Sequence, residues 1–451
     1  MTTNRGSTLL RRVVGECASG FGIRGWVRPG FAVAAELLTV ASIVWAMRLV
    51  ESRWGVEGLG EYLNMRRAIP LLQLPCLCGI GLGLCRLVAM SGGGESGTVL
   101  RGRLLASALT IVGVALAFFT LGIWMAAEPL SRLLLGAAVD PLSMIAVSVC
   151  LPGLVMHGVI HGWLSGHLRT PLACLLQWVN LGLLPLATIF LGPDGVAEYF
   201  VWLGIGWGAT AAIVLAAIVG TDRVGLRHLR PEKQSIVRLL SYGLPRVPSE
   251  LLWGAYTALP TLLLIYFGQG PRHELAEVAY LGTAVSAVLM LGSGFAPLGQ
   301  ITLPTVSAGL QRGDLAGVRR RLIRLTGATL VLSGLLTLAA WWLTPVLLGG
   351  YFGPRMLLAS PIVRTVLSGG VPYCLYVVLR SFLDALSPFP INGKNIALAI
   401  LFLATIAIAL GSVNLIPVAF CGSLFVLAFV SLVDGWRLTA GDGWPGPRRG
   451  R

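Results

Sequence analysis

The chain has 451 residues, 55% of them hydrophobic and 12% charged, with a mean hydropathy of +0.81. Soluble globular domains are about 25% charged, and a soluble fold has too little interior to hide this much apolar surface. The net charge is +15, but the basic residues fall in short segments between apolar runs, so the charge reads as a topology signal and not as a nucleic-acid footprint. All of them are arginines except Lys233 and Lys394.

The N-terminal segment, Met1 to Arg28, holds Arg5, Arg11, Arg12, Arg24 and Arg28 and lacks a clean apolar core with a small-residue cleavage site. It reads as an interfacial amphipathic segment and not as a cleaved signal peptide. A spanning helix needs about 20 mostly apolar residues. Twelve such runs follow, near 30–50, 66–85, 104–126, 141–164, 171–192, 198–219, 239–267, 277–299, 324–345, 359–382, 394–411 and 414–433.

Arginine and lysine concentrate in the termini and in every second connection. These carry Arg86, Arg101 and Arg103, then Arg169, then Arg223, Arg227, Arg230 and Lys233, then Arg312 and Arg319 to Arg321, then Lys394, and finally Arg437 to Arg451. The other connections are balanced or acidic, as at Glu51, Arg53, Glu57 and Glu61 or at Asp194 and Glu198. Basic loops stay cytoplasmic, so both termini are expected inside.

The basic connection at 221–238 divides the chain into bundles over 30–220 and 239–433, with an N-terminal segment at 1–29 and a tail at 434–451. The halves share entrances. Gly60-Glu61-Tyr62 precedes the second run and Glu277-Val278-Ala279-Tyr280 the eighth; Arg28-Pro29 with Glu36 opens the first, and Pro245-Arg246-Val247-Pro248 with Glu250 the seventh. The expected fold is an all-α integral membrane protein with twelve transmembrane helices in two pseudo-symmetric six-helix bundles around a central cavity.

No phosphate-cradling P-loop, GxSxG, HExxH or paired-carboxylate motif occurs, and no long extracytoplasmic loop offers room for catalysis. The chain reads as a path and not as an enzyme, and no cofactor is implied. The eight cysteines form no CxxC pair and read as small buried hydrophobes.

Charges inside spans are costly and mark function by default. Arg246 lies between Pro245 and Pro248, an interrupted helix with a cation, which is a transporter device. Glu36 and Glu250 have two readings, an internal partner for an arginine or a cation or proton site. Arg364 and Arg380 lie in the tenth run with Asp384 beyond, where Arg380 and Asp384 read as a solvated pair. Arg66 and Arg67 either snorkel to the interface or face inward. His157 and His161 read as packing or a polar cavity face and not as metal ligands. Trp253, Tyr256, Trp341, Trp342, Tyr351 and Tyr373 read mostly as interfacial belt residues.

Several segments together resemble one family. Leu239 to Ser249, reading LLSYGLPRVPS, is similar to the opening of the seventh helix in polysaccharide flippases of the MATE-like MOP superfamily. Gly58-Leu59-Gly60-Glu61-Tyr62 resembles that family's entrance to its second helix, Gly162 to Gly166 with Arg169 its fourth-helix end, and Pro304 to Ala308 with Gly313-Asp314 the segment after its eighth. Many relatives carry Asp-Arg midway along the seventh helix, where this chain reads Ala258-Leu259-Pro260-Thr261. Ion coupling at that position is therefore not carried over.

The resemblance implies transport of undecaprenyl-pyrophosphate-linked oligosaccharide across the bacterial cytoplasmic membrane. It also implies, besides membrane lipid, a glycan polymerase and a chain-length regulator as partners. Arginine pairs with phosphate oxygens through a planar fork, so Arg246, Arg364 and Arg28 are the expected pyrophosphate ligands, with Glu250 and Glu36 beside them. The alternatives are a MATE-like multidrug or metabolite antiporter relying on the two glutamates, and a membrane-bound glycan polymerase or ligase.

Overall fold

In the computed structural model, residues 23–440 are described except for 92–93, 137–138, 222–228, 268–270, 300–301, 303–305, 307–309, 311–312 and 388–390, with side chains from residue 31 onward except at 32, 94, 221, 271–274 and 410. The segment before residue 23, the tail from 441, Arg223, Arg227 and the Pro304 motif thus fall wholly or largely outside the described residues, as does the Arg28 side chain. All described regular structure is helical.

The first half comprises α1 (Ile23–Leu77), α2 (Ile80–Met90), α3 (Gly94–Met125), α4 (Ala127–Leu134) and α5 (Pro141–Gly166), followed by α6 (Thr170–Trp178), α7 (Leu184–Phe190) and α8 (Val196–Thr221). The second half comprises α9 (Lys233–Gly243), α10 (Val247–Phe267), α11 (Pro271–Ser293), α12 (Leu315–Val346), α13 (Ser360–Leu367), α14 (Gly370–Leu386), α15 (Ile391–Leu410) and α16 (Ile416–Ala440). A π-helical turn at Val179–Leu183 joins α6 to α7, and a single 3-10 turn at Leu244–Arg246 joins α9 to α10.

Among the described residues, ten helices are long and apolar enough to cross a membrane, or eleven when the bent pair Pro354–Leu367 and Gly370–Leu386 counts as one span. The expected count of twelve differs because the runs at 30–50 and 66–85 fall largely on one element. Its candidate span, Val33–Leu77, has 45 residues. At about 1.5 Å per residue this is more than twice a hydrocarbon core of about 30 Å. The element is two helices that meet at Gly55, whose φ of 74° breaks the helical path.

Helices also outrun the apolar stretches. α3 carries Arg101 and Arg103, α12 carries Arg319 to Arg321, and α9 begins at Lys233 inside the expected 221–238 connection. Hydropathy marks the hydrocarbon boundary, whereas the hydrogen-bonded ladder continues into water wherever the residues allow it.

The surface is what a bilayer requires. Phe118, Ile213, Leu335, Trp342, Ile408 and Phe429 are all more than half exposed, a belt that would aggregate in water. The protein is a multi-pass membrane protein.

Within the first half α5 packs closely on α8 and α2, and within the second α16 packs on α14 and α15. The halves join mainly where the arm of α1 after Gly55 lies against α10 and α11. Close approach there depends on Gly60, where an added Cβ would collide with the backbone carbonyl of Leu275 on α11. The two entrance motifs that look alike in sequence thus touch each other. Arg48 adds a second tie, donating to the Phe352 carbonyl at 3.0 Å while paired with Glu51 at 2.6 Å.

Gly60→Ala should lower the melting temperature of the purified protein by the equivalent of roughly 1–3 kcal/mol, the cost of overpacking a tight contact. Gly113→Ala, where a Cβ meets no atom within 4 Å, should be neutral or slightly stabilising through helix propensity. Equal melting of the two variants would remove Gly60 from the crossing.

Candidate functional site

Between the halves lies a cavity of about 250 Å³. The first arm of α1 supplies Glu36, Thr39, Val40 and Ile43, and its second arm Leu63, Arg66, Arg67 and Pro70. Thr257 of α10 and Ser286, Leu289, Met290 and Ser293 of α11 complete the wall. The helical period places these residues on facing stripes, since 36, 39, 40 and 43, and 63, 66, 67 and 70, each recur every three or four positions.

The electrostatics of the cavity are lopsided. Arg67 Nη2 donates to the Gly282 carbonyl and to Ser286 Oγ at 3.4 Å. Its Nη1 is shielded from solvent and has no protein partner. Arg66 is close enough to add like-charge repulsion. Against these two guanidinium groups stands one cavity carboxylate, Glu36, whose Oε2 accepts from Gln177 Nε2 at 2.9 Å and which lies beside Ser293. Two cations and one anion in the lining of one cavity leave a net positive charge, and such a site favours an anionic guest.

Of the residues expected from sequence, Glu36 lines this cavity. Arg246 does not. It sits at the end of the 3-10 turn, where its Nη1 donates to the Tyr242 carbonyl at 2.9 Å and its guanidinium lies 4.0 Å from the Tyr242 ring centroid. Arg86 of α2 lies over the same ring at 4.9 Å. Glu250 is in the electrostatic reach of Arg380 first and Arg246 second. Arg364 is separate again, with Nε donating to the Trp341 carbonyl at 3.3 Å and the guanidinium 4.3 Å over the Trp341 ring.

Arg380 and Asp384 lie four residues apart near the end of α14, with Asp384 exposed. Arg380 reaches over the Trp253 ring at 5.7 Å, and Asp384 Oδ1 accepts from Asn392 Nδ2 at 2.7 Å. Tyr256 and Tyr373 are not belt residues but buried, at 1% and 4% exposure. The Tyr256 hydroxyl meets Ser423 Oγ at 2.8 Å, and Tyr373 stacks on Trp253. His157 is bonded to Asn180 at 2.9 Å, and no cluster of three metal-ligating side chains occurs among the described residues.

In the sequence alone Arg66 and Arg67 fit either the interface or the interior. The adjacent Pro70 and the period shared with Leu63 are the signals that point inward. Ser286→Cys, in a background freed of native cysteines, should react with a water-soluble maleimide in membranes, whereas Ser423→Cys, at 0% exposure, should not. An unreactive thiol at 286 would mean that water does not reach the cavity.

No family model matches the chain, and no curated protein does. Solved structures do. A multidrug resistance MATE family transporter of the MOP superfamily, in its inward-facing conformation, matches with a TM-score of 0.71 and 14% identity over 91% of this chain and 98% of that one. The lipid II flippase MurJ, inward closed, matches at 0.70 and 12% identity over 92% and 88%. A MOP superfamily transporter from Pyrococcus furiosus, for which a reversed polarity of the binding pocket is described, matches at 0.64 and 15% over 92% and 96%. Identities this low speak for architecture alone, and the architecture of this chain is the MATE/MOP transporter fold.

Proposed function

We propose that the protein is a flippase that moves an undecaprenyl-pyrophosphate-linked oligosaccharide across the bacterial cytoplasmic membrane by alternating access. The observation that carries this reading is the cavity between the halves, whose lining holds Arg66 and Arg67 and the single carboxylate of Glu36 and where Arg67 Nη1 has no protein partner. A pyrophosphate cannot cross hydrocarbon without compensating charge. A pair of guanidinium groups supplies that charge in planar, bidentate geometry.

In this reading the sugar and pyrophosphate occupy the water-accessible cavity while the polyprenyl tail stays in the bilayer. Arg246 lies eleven residues from Thr257 along α10, roughly 16 Å from the cavity wall. It meets an incoming anion at the arginine-rich end before Arg67 does. Arg364, occupied by Trp341, and Arg28 supply charge further from the cavity. An inside-negative potential favours outward movement of an anion by about 2.3 kcal/mol per charge per 100 mV, so no nucleotide hydrolysis is required. A glycan polymerase and a chain-length regulator would take the product on the outer face.

Arg67→Ala, compared with wild type at equal membrane abundance, should cut surface glycan export at least tenfold, in line with losing a charged hydrogen bond worth about 1.5–3 kcal/mol. Arg67→Lys should retain part of the activity, since a point charge remains without the fork. Normal export by Arg67→Ala would sink the cavity as the path. One observation favours a second reading, a MATE-like antiporter, because Glu36 also lines the cavity. In that case Glu36→Gln abolishes resistance to cationic drugs while glycan export is untouched.

A further inference from the structure

The membrane-facing side of the second half carries a groove that plays no part in the transport reading. It runs between α12 and α16 and has a volume of about 560 Å³, within the roughly 300–1,000 Å³ of ligand-sized sites. Apolar side chains of α12 from Leu322 to Leu330 form one wall, and Leu432 and Val433 of α16 form the other. Trp436 and Arg437 close one end.

That end is cationic. Arg319, one turn before Leu322, holds its guanidinium 3.9 Å over the Trp436 ring centroid. Stacking uses the face of the guanidinium and leaves its in-plane N–H groups free to donate. Among the described residues, neither Arg319 nor Arg437 has an ion-pair partner, and the nearby carboxylate of Asp434 is bound by Lys394 at 2.8 Å. Arg320, Arg321 and Arg324 are exposed along the same stretch of α12. Thr326 also faces the groove, and its shielded hydroxyl has no protein partner, unlike Thr344, which bonds back to the Ala340 carbonyl at 2.8 Å.

We propose that this groove binds an anionic glycerophospholipid of the leaflet at the arginine-rich end, with an acyl chain along α12 and the phosphate between Arg319 and Arg437. Length selects the occupant. Leu322 to Leu330 spans about 12 Å along a helix, and one leaflet contributes about 15 Å of hydrocarbon. The groove therefore matches a chain confined to one leaflet and is too short for a polyprenyl tail. Charge selects the headgroup. A zwitterionic lipid would bring its own ammonium up to two unpaired guanidinium groups, whereas phosphatidylglycerol brings a net negative charge to an arginine cluster of the kind that recognises anionic leaflets. The positive-inside rule makes this the cytoplasmic leaflet.

Gly327 offers a test that leaves the protein's own packing alone. Gly327 lines the groove and a Cβ there meets no atom within 4 Å, so a large side chain can start from the backbone without a clash and occupy the groove. The full-length protein in detergent is mixed with equal amounts of phosphatidylglycerol and phosphatidylcholine of the same acyl chains, and retained lipid is read by native mass spectrometry. Wild type should retain phosphatidylglycerol selectively. Arg319→Ala with Arg437→Ala should lose that selectivity by about fivefold per arginine. Gly327→Phe should lose the lipid while melting like wild type. Equal retention of both lipids by wild type overturns the proposal, as does phosphatidylglycerol retention unchanged by Gly327→Phe. Displacement of the lipid by equimolar undecaprenyl phosphate, in wild type but not in Gly327→Phe, assigns the groove to a polyprenyl tail and overturns it as well. None of these readouts depends on transport, so failure here leaves the flippase reading standing.

Discussion

The arm of α1 that follows Gly55 crosses α11 with almost no side chain between the two backbones. Gly60 lies under the Leu275 carbonyl, and an added Cβ at Gly282 would crowd Leu63 and the Arg67 guanidinium. From that crossing the rest of the central architecture follows. Close packing holds the halves together at Gly60 and leaves a gap further along, where Arg67 spans to the Gly282 carbonyl instead of a side chain filling the space. In lipid there is no hydrophobic drive between helices, so small residues and backbone approach supply the association. The polar cavity is tolerated because it lies beside this tight contact and not in the lipid-facing surface.

The remaining intramembrane charges show how the fold handles cations it does not place in the cavity. Arg246, Arg364 and Arg380 each lie over an aromatic ring, Tyr242, Trp341 and Trp253 respectively, and the first two also donate to a main-chain carbonyl. Ring quadrupoles and carbonyl dipoles share in compensating each guanidinium, and for Arg246 and Arg380 the nearby carboxylates of Glu250 and Asp384 add to it. Arg67 differs because part of its donor capacity is left over. Among the described arginines, Arg67 is the one with a solvent-shielded guanidinium nitrogen that has no protein partner, which makes it the informative residue. At one end of α12 Arg319 repeats the pattern over Trp436.

Membrane residence, the all-helical class and the locations of the intramembrane arginines were legible in the residues alone, because hydropathy over about 20 positions and the placement of arginine between apolar runs are local properties. The interruption before α10 was legible too, since Pro245 and Pro248 cannot sustain a regular ladder, and the structure places its 3-10 turn at Leu244–Arg246. Only the tertiary structure decided where those side chains point. Arg246 turns back onto Tyr242 because that ring and carbonyl lie one turn away, while Arg66 and Arg67 turn into the cavity because α11 lies opposite them. Tyr256 and Tyr373 look like interfacial aromatics in sequence, yet they are buried against Ser423 and Trp253, partners that stand more than a hundred residues away. A linear pattern records which residues can face inward, but which of them face one another depends on how distant helices cross, and here that is settled by the backbone contact at Gly60.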